Sequence, residues 1–517
     1  MKQISILWTD DEIDLLKPHI MFLEAKGYAV VTANNGDDAI EQVKKHTFDI
    51  IFLDENMPGL SGLQTLAKIK AITPEVPVIM ITKSEEEDIM EEAIGSKIAD
   101  YLIKPVNPNQ ILLSIKKNID VRQLISKKVT SEYQTEFTKL SIQINDARTH
   151  DDWIDIYRKL VFWELEFEGS DDNAMDEVLK MQKNEANSAF AKFVKKNYLS
   201  WFETKNESRP LLSPSLIKSK VFPHIDKNEK VCLLLIDNLR YDQWKVIQPV
   251  ISEFFTVEDD TIYFSILPTA TQYSRNAIFS GLMPSEIGKL HPDFWIDEND
   301  EEGKNIHEED LLRKQLSRSG KNIKLFFTKI FENKDAEKLI ENIDNILSNQ
   351  LLAIVFNFVD MLSHARTESK MIKELTNDEP AYRSFALSWF KHSPILGLFK
   401  ELSQHNVKII LTTDHGAIRV SNPIKVIGDK NISSNLRYKQ GKSLNYNPKE
   451  VFEITQPQKA FLPSQNVSSS YIFATNDDFF AYPNNYNHYV KYYKDTFQHG
   501  GISLEEMLIP IITLNPR

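Results

Sequence analysis

The sequence predicts a multidomain α/β protein, and three observations support this fold class. The chain has 517 residues, too many for one typical hydrophobic core, so two or three domains are expected. In residues 1–120, short apolar runs alternate with helical patterns, which is typical of a doubly wound parallel sheet. Residues 121–205 show helical periodicity and suit a helical bundle that links two domains. Longer apolar runs at 206–517 predict a second α/β domain.

The composition limits the class of protein. Hydrophobic residues make up 42% of the chain and charged residues 26%, as in an ordinary globular protein. The one cysteine, Cys232, excludes an internal disulfide framework and favours the reducing cytoplasm. We expect neither a signal peptide nor a membrane span, because no suitable apolar stretch is present. The net charge of −13 argues against direct DNA binding, which needs a basic face.

The strands predicted in residues 1–120 lead into polar side chains. They end in ISILWTDDE, DIIFLDENMPGLSG, VPVIMITK and DYLIKP, which contain Asp10, Asp11, Asp54, Asn56, Thr82, Tyr101 and Lys104. Three carboxylates in one pocket repel one another, and a hard cation such as Mg²⁺ relieves that repulsion. A lysine beside them supplies positive charge to a developing phosphate.

This ordered set resembles a CheY-like receiver domain over its whole length. The resemblance implies that Asp54 accepts a phosphoryl group from a partner sensor histidine kinase. It also implies the remaining roles: Mg²⁺ ligands Asp10, Asp11 and the Asn56 carbonyl, phosphoryl contacts Thr82 and Lys104, and switch aromatic Tyr101. The alternative is a pseudo-receiver that is never phosphorylated. Every position that phosphorylation requires is occupied by the expected residue type, which argues against this alternative.

Residues 121–205 contain few glycines and prolines, and their apolar stripes predict three helices. The stripes include Trp153, Tyr157, Leu160, Phe190, Val194 and Trp201. They suit the core of a bundle, with a partner surface as the alternative. The proline-containing segment 203–230 is interpreted as a linker or a wrapping segment. The stretch 297–310 has eight Asp or Glu residues and predicts a solvated loop.

In the second α/β region, apolar runs end in candidate metal ligands. The runs VCLLLID, LLAIVFNFVD and VKIILTTDHG, with the later segments LPTATQYSR and HGG, supply Asp237, Thr271, Asp360, His364, Asp414, His415 and His499. Functional groups collect where parallel strands end. Two divalent metals held by carboxylates and imidazoles can activate a hydroxyl and clamp a phosphoryl group. The alternatives are strand-end caps, satisfied core histidines and, for Thr271, a helix N-cap.

Two further residues are candidates for substrate binding. Arg275 lies one helical turn after Thr271, and a bidentate contact from its guanidinium could hold a phosphate oxygen. Asn238 stands beside Asp237 and could contribute an amide. A surface ion pair is the alternative for Arg275.

The ordered ligand set resembles the alkaline phosphatase superfamily, and PTATQYSR and HGGISLEEMLIPII are most similar to its PglZ-type branch, over about residues 210–517. The resemblance implies two zinc ions, with manganese as an alternative. One zinc is then held by Asp360, His364 and His499, and the other by Asp237, Asp414, His415 and Thr271. It also implies attack by the Thr271 oxygen on a phosphodiester, such as a nucleotide or a short (cyclic) oligonucleotide. The segment Pro268–Thr271 lacks a sulfatase-type cysteine.

The whole architecture resembles the PorX-type response regulators. From the receiver we expect dimerisation on phosphorylation, and the single cysteine favours a cytoplasmic protein. The resemblance to the PorX-type regulators implies control of type IX protein secretion. It names a sigma factor or the secretion machinery as candidate partners. The function we expect is a phosphorylation-controlled zinc phosphodiesterase. The alternative is a regulator whose metal domain is mainly a protein-binding scaffold, while a transcription factor is disfavoured because a basic recognition helix is missing.

Overall fold

The fold is that of a computed structural model. It describes residues 4–74, 76–83, 98–115, 118, 121–168, 173–203, 208–296, 303–357, 359, 378–428, 433, 435–464, 466, 468–483 and 485–517. For 121–131, 173 and 174 it describes the backbone only. Among the helices so described, none combines the length and apolar character that a membrane crossing requires.

The first α/β region forms a five-stranded parallel sheet with the order β2-β1-β3-β4-β5. Its strands are β1 Ser5–Thr9, β2 Ala29–Ala33, β3 Ile50–Asp54, β4 Val78–Thr82 and β5 Asp100–Ile103. Its helices are α1 Lys17–Ala25, α2 Gly36–Lys45, α3 Gly62–Ile72 and α4 Pro108–Ile115, with a short 3₁₀ turn at Ile13–Leu16. The doubly wound sheet predicted for this region is confirmed.

Both faces of this sheet are covered, as its apolar strands require. Leu7 and Ile51 pack into a core on one face, whereas Trp8 and Phe52, their neighbours in the chain, pack into a core on the other. Successive residues of a strand point to opposite faces, so both faces of β1 and β3 must be apolar. The Trp8 ring lies 5.3 Å from that of Phe52, which accommodates the large side chain before the acidic pair.

Three helices follow, as the periodicity predicted. They are α5 Val121–Asp146, α6 His150–Glu168 and α7 Asn173–Asn197, and a 3₁₀ segment covers Tyr198–Phe202. Trp153 of α6 packs edge-on against Phe190 of α7, with ring centroids 5.4 Å apart. Trp201 packs at the same centroid distance against Phe264 of the following domain. The aromatic stripes therefore form a shared core.

The chain divides into two compact units, and the boundary falls between Gln134 and Thr135, inside α5. Most of the helical segment consequently lies in the same unit as the second α/β region. That region is built on a six-stranded sheet with the order β7-β18-β10-β6-β9-β8. Strands β10, β6, β9 and β8 run parallel, and β18 is antiparallel to both β10 and β7.

The bounds of the remaining elements follow the chain. The strands of the six-stranded sheet are β6 Val231–Ile236, β7 Phe255–Phe264, β8 Leu325–Ile330, β9 Leu351–Phe356, β10 Lys408–Thr412 and β18 Leu508–Pro516. The smaller strands are β11 Ile418–Arg419, β12 Asn422–Lys425, β13 Tyr438–Gly441, β14 Val451–Ile454, β15 Ser470–Ala474, β16 Asp478–Ala481 and β17 Phe497–Gln498. The helices are α8 Phe222–Asp226, α9 Tyr241–Ile251, α10 Thr271–Ser280, α11 Pro284–Leu290, α12 Glu308–Arg318, α13 Asn333–Glu341, α14 Ile343–Ile346, α15 Glu379–His392, α16 Pro394–Gln404, α17 Tyr486–Tyr493 and α18 Leu504–Met507.

The proline-containing segment before β6 wraps the sheet. Leu216, Ile217 and Val221 are fully buried in one core with Leu233 of β6. The Phe264 amide also donates to the Leu211 carbonyl at 2.9 Å. Of the two interpretations of 203–230, its described part therefore fits a wrapping segment and not a free linker.

Candidate active site

Two neighbouring parallel strands bring the first candidate ligands together. Asp237 directly follows β6, and Asp414 with His415 follows β10, which is hydrogen-bonded to β6. Donor atoms of these three residues all lie within 4.8 Å of one another. All three side chains are buried. The convergence expected at the carboxyl edge of the sheet is thus present for these residues.

Backbone geometry holds the two loops in this arrangement. A Cβ atom on Gly416 would collide with the Glu505 carbonyl, so the residue after His415 must be glycine. Gly500, after His499, has a φ of 122°, a conformation that side chains rarely tolerate. Asn238 adopts a φ of 63°, and a turn residue after β6 suffices to explain the asparagine.

The two histidines present the same ring nitrogen to the site. His415 Nδ1 lies 3.2 Å from the Gly416 carbonyl oxygen, and His499 Nδ1 lies 3.2 Å from the Thr269 carbonyl oxygen. A carbonyl can only accept, so each Nδ1 carries the proton and each Nε2 keeps a lone pair. The rings are stacked, with centroids 4.1 Å apart. Both rings are therefore in the tautomer that a metal ligand needs.

Thr271 joins this cluster through its hydroxyl. It is the first residue of α10, and Ala270 occupies the N-cap position, so the hydroxyl does not act as the cap. Thr271 Oγ1 instead lies 3.0 Å from His415 Nε2. An oxygen at the first turn of a helix gains from the helix dipole as negative charge accumulates nearby.

Arg275, one turn later, lies between the carboxylates. Its Nε donates to Asp414 Oδ2 at 3.0 Å, and its Nη2 forms an ion pair with Asp237. Its Nη1 donates to Asn357 Oδ1 at 3.3 Å. Although burial alone would lower it, the neighbouring carboxylates hold the pKa of Arg275 well above its ordinary value. The arginine is buried, so the surface ion pair considered for it is excluded.

The acidic stretch at 297–310 is not solvated throughout, which corrects the sequence prediction. Residues 297–302 lie outside the described part, but Glu308 begins α12 and is fully buried. One of its oxygens lies 2.9 Å from Lys329 Nζ and the other 3.7 Å from Arg275 Nη1. Burial raises the pKa of Glu308 in spite of these two cations. The run of acidic residues in the sequence therefore includes Glu308, a buried residue that lies beside Arg275 of the site.

The described residues fit a divalent metal. Three buried carboxyl groups, Asp237, Asp414 and Glu308, lie beside two cations, Arg275 and Lys329, so the cluster is rich in oxygen donors. Asp414 Oδ1 is buried without a hydrogen-bond donor, which is costly unless a cation satisfies it. Burial opposes ionisation of Asp414, but the Arg275 guanidinium nevertheless holds the pKa of this carboxyl below its usual range.

Asp360 and His364, the other two predicted ligands, lie outside the described residues. Strand β9, which precedes them, is next to β6 in the sheet.

Thr269 is a site residue that sequence reasoning missed. Its hydroxyl donates to the Gly501 carbonyl at 2.9 Å and accepts from the Gly500 amide at 3.0 Å, which fixes the loop of His499 beside α10.

Helix α7 of the helical segment also reaches this framework. The side-chain oxygen Oδ1 of Asn187 accepts from the Leu504 amide at 2.7 Å, and its Nδ2 donates to Glu505 at 3.1 Å. Lys183 forms an ion pair with Glu505 at 3.4 Å. The Glu505 carbonyl is the group that contacts Gly416. A short chain of contacts thus connects α7 to the loop of His415.

The receiver-like pocket is equally compact. Donor atoms of Asp10, Asp11 and Asp54 lie within 4.8 Å of one another. Lys104 Nζ lies 2.8 Å from Asp10 Oδ2 and 3.0 Å from Asp54 Oδ1. Burial raises the pKa of Asp54, and the carboxylates of Asp10 and Asp11 add to this. Such a cluster suits a hard cation with oxygen ligands.

The remaining predicted receiver residues surround this pocket. Thr82 is buried at the end of β4, Asn56 is exposed after β3, and Tyr101 is half-buried in β5. Burial raises the pKa of Tyr101, although its hydrogen bond with Thr82 acts in the opposite direction. The threonine and the tyrosine are therefore already in contact.

Comparison with protein families gives three matches in chain order. Residues 6–116 match the response regulator receiver domain, and residues 123–202 match the PorX response regulator linker domain. Residues 216–514 match the BREX system PglZ alkaline phosphatase-like domain. Receivers of this kind are phosphorylated by sensor kinases, and alkaline phosphatase-like domains are metal-dependent. The PorX-type architecture is thereby shown.

Curated relatives share only part of the chain. The transcriptional regulatory protein ZraR of Klebsiella oxytoca is 33% identical over 136 residues, 26% of this chain and 31% of that protein. The alginate biosynthesis transcriptional regulatory protein AlgB of Pseudomonas syringae pv. tomato is 36% identical over 125 residues, 24% of this chain and 28% of that protein. The chain thus matches less than a third of the length of these relatives.

Solved structures of separate receiver domains are also similar. That from Clostridium thermocellum is 31% identical and covers 23% of this chain and 98% of its own, with a TM-score of 0.23. That from Methanospirillum hungatei JF-1 is 26% identical and covers 23% and 95%, with a TM-score of 0.23. The family match at 216–514 extends over more than half of the sequence, and the chain therefore belongs to the PglZ alkaline phosphatase-like family, here joined to a response regulator receiver by a PorX-type linker.

Proposed function

We propose that this chain is a response regulator that, once phosphorylated on Asp54, controls a zinc-dependent phosphodiesterase. The observation that carries the proposal is the contact between Thr271 Oγ1 and His415 Nε2, 3.0 Å apart, beside the buried carboxylates of Asp237 and Asp414. A hydroxyl, an imidazole with a free lone pair and two carboxylates form the machinery of phosphoryl transfer to an oxygen nucleophile.

The assignment of ligands rests on the donor set. Asp237, Asp414 and His415, with the Thr271 oxygen, would hold one zinc, and His499 would hold the other together with Asp360 and His364. Zinc bound there would supply Lewis acidity, which lowers the pKa of the hydroxyl and neutralises charge on the phosphoryl oxygens. Three imidazoles favour zinc, while the many oxygen ligands keep manganese as an alternative.

The residues of the chain then have separate tasks. Thr271 attacks phosphorus in line, the phosphorus–oxygen bond to the leaving group breaks, and a phosphothreonine forms. Water hydrolyses that ester and restores the hydroxyl. His415 Nε2 and the Thr271 oxygen, 3.0 Å apart, would be ligands of the same ion, while the Gly416 carbonyl fixes the His415 ring. Arg275, one turn after Thr271 and between the carboxylates of Asp237 and Asp414, would contact an anionic substrate, and Asn238, next to Asp237 in the chain, is a weaker candidate.

Substrate and biological role rest on the family. PglZ-type similarity supports a phosphodiester such as a nucleotide or a short (cyclic) oligonucleotide as substrate. The PorX-type linker supports a role in type IX protein secretion, with a sigma factor or the secretion machinery as partners. A sensor histidine kinase draws its phosphate from ATP, and this supports a cytoplasmic location for the regulator. Mg²⁺ would serve the receiver through Asp10, Asp11, Asp54 and the Asn56 carbonyl.

The decisive experiment measures metal content and turnover on the same sample. Purified full-length protein is analysed for zinc and manganese and then assayed against phosphomonoesters, phosphodiesters and sulfate esters. We expect about two metal ions per chain and a preference for diesters that disappears on chelation and returns with zinc. Stoichiometric metal with no turnover on any ester would instead support the scaffold function.

A further inference from the structure

Helix α17 carries aromatic rings on both of its faces. Tyr486, Val490 and Tyr493 pack against a cluster that includes Val420 and Phe479, so hydrophobic burial explains the inner face. It does not explain the outer face, where His488, Tyr489 and Tyr492 are exposed. Tyr489 and Tyr492 are 38% and 41% exposed. Residues 482–493 contain five of the chain's 17 tyrosines, a density that core packing alone does not require.

Each of two outer rings has a near-parallel partner four residues away on the helix, on the outer face for His488 and on the inner face for Tyr489. His488 and Tyr492 are stacked at an interplanar angle of 16°, with centroids 6.4 Å apart. Tyr489 and Tyr493 are stacked at 11°, with centroids 6.3 Å apart. Their i,i+4 spacing places each pair along the helix surface. Exposed, oriented ring faces are the surfaces on which unpaired bases stack.

The segment that contains α17 carries positive charge, whereas the whole molecule is acidic. No Asp or Glu occurs between Asp478 and Asp495, whereas Lys491 and Lys494 are exposed on or next to the helix. Lys425 Nζ lies 4.8 Å above the centroid of the Tyr486 ring. In a chain with a net charge of −13, this local combination of cations and aromatic rings favours a polyanion with planar groups.

A short chain segment and one pair of strands connect α17 to the candidate active site. After Tyr493 the chain enters β17, which pairs with β11. His499 directly follows β17, and His415 precedes β11 by only two residues. Six residues of extended chain from Tyr493 to His499 span at most about 20 Å. The platform and the two histidines are therefore neighbours within one compact unit.

We propose that the outer face of α17, formed by His488, Tyr489, Lys491 and Tyr492, is a stacking platform for the bases of a single-stranded oligonucleotide. The platform holds the bases of the substrate while a neighbouring phosphodiester lies at Thr271. This inference rests on the proposed function for its catalytic part. The platform restricts the proposed substrates to phosphodiesters that carry unpaired bases next to the bond that is cleaved. Those bases would lie on the α17 side of that bond.

The test compares binding and turnover in the full-length protein. Binding of a fluorescent single-stranded oligoadenylate is measured in the Thr271→Val background, where it cannot be cleaved. We expect the double variant Tyr489→Ala/Tyr492→Ala to bind about tenfold or more weakly, since one stacked base is worth about 1–3 kcal/mol. Tyr489→Phe/Tyr492→Phe keeps both rings and should restore binding.

Turnover provides a second readout. With Thr271 intact, the ratio of kcat/KM for the oligonucleotide to kcat/KM for bis(p-nitrophenyl) phosphate should fall in the double alanine variant, mainly through KM. Phe162→Ala and Lys192→Ala remove an exposed ring and an exposed cation from α6 and α7 and are the matched controls. Lys491→Ala should also reduce the dependence of binding on salt.

The outcomes separate this inference from the function on which it rests. Oligoadenylate binding that is equal in the wild-type and alanine-substituted platforms overturns the platform, and a protein partner would then explain the exposed rings. Ring-dependent binding without hydrolysis of any diester keeps the platform and removes the phosphodiesterase. If the ring substitutions leave oligonucleotide hydrolysis unchanged, the phosphodiesterase function is kept and the platform is refuted. The exposed positions leave the fold intact, which an unchanged Tm would verify.

Discussion

At the scale of single residues, the oxygen of Thr271 separates chemistry from binding. Thr271→Val keeps the shape of the side chain and removes the proposed nucleophile and its contact with His415. We expect turnover to fall by at least about 10³-fold, because an activated nucleophile is worth several kcal/mol. Metal content should stay close to that of the wild type, as measured by elemental analysis. Hydrolysis near the wild-type rate would mean that water attacks the ester directly.

His499 tests the second metal at the same scale. His499→Ala should lower bound zinc and abolish diester hydrolysis, since loss of one ligand weakens the affinity of the remaining set. Asp360→Ala should behave alike. The control is His405→Ala, which removes a partly exposed imidazole at the end of α16 that lies 3.9 Å from Asp344. Unchanged zinc in the His499 and Asp360 variants would refute the assigned ligand set.

At the scale of elements, buried charges join the helical segment to the sheet. Arg383 of α15 binds Glu164 of α6 at 2.7 Å and Asp242 of α9 at 3.1 Å. Lys183 of α7 binds Glu164 at 2.7 Å. Buried ions in such a network are costly to leave unpaired, so α6, α7, α9 and α15 should lose their packing together.

This network predicts a specific sensitivity to acid. Burial opposes ionisation, yet Lys183 and Arg383 lower the pKa of Glu164 to about 2, from 4.5. Because the folded pKa is depressed, the stability is present above about 4.5 and is lost as the pH falls towards 2. The loss amounts to at most about 3 kcal/mol. In urea unfolding at pH 7 and pH 3, Glu164→Gln should therefore lose less stability than the wild type.

Glu166 provides the matched control for that measurement. It lies on the same helix but is exposed, so Glu166→Gln should keep the wild-type response to acid. Equal acid sensitivity in the Glu164→Gln variant and the wild type would show that the network contributes little to stability.

The strength of sequence-based prediction also differs between elements. Apolar runs with polar ends located β6 and β10 and the residues that follow them, because burial and strand direction leave a local pattern. Thr269, Asn187 and Glu505 left no such pattern, since their partners are up to 318 residues distant. Glu308 was predicted to lie in a solvated loop because a run of acidic residues, such as the one around it, is typical of an exposed segment. Arg275 was placed correctly near Thr271, but its carboxylate partners could only be seen in the fold.

At the scale of the whole molecule, phosphorylation of Asp54 should act through assembly. A phosphoryl group there draws Thr82 and Tyr101 inward and reshapes the receiver face, and such two-state faces often become two-fold dimer surfaces. Beryllofluoride with Mg²⁺ should shift the protein from monomer to dimer and change diester hydrolysis. Light scattering at matched concentrations measures the mass.

Asp54→Ala is the control for this prediction, because it removes the acceptor and leaves the zinc ligands intact. It should block the change in mass without altering bound zinc. If the mimic occupies Asp54 and neither mass nor activity changes, dimerisation does not control the effector.

The boundary between the two compact units lies inside α5 at Gln134–Thr135. It determines where the receiver can be replaced by another sensory domain. A chimera cut at residue 205 would strip Asn187 and Lys183 from Glu505, and with them the support of the His415 loop. A graft made near residue 134 would keep α6 and α7 together with the alkaline phosphatase-like domain. The part that can be exchanged is therefore the receiver with the start of α5, while α6 and α7 belong with the second unit.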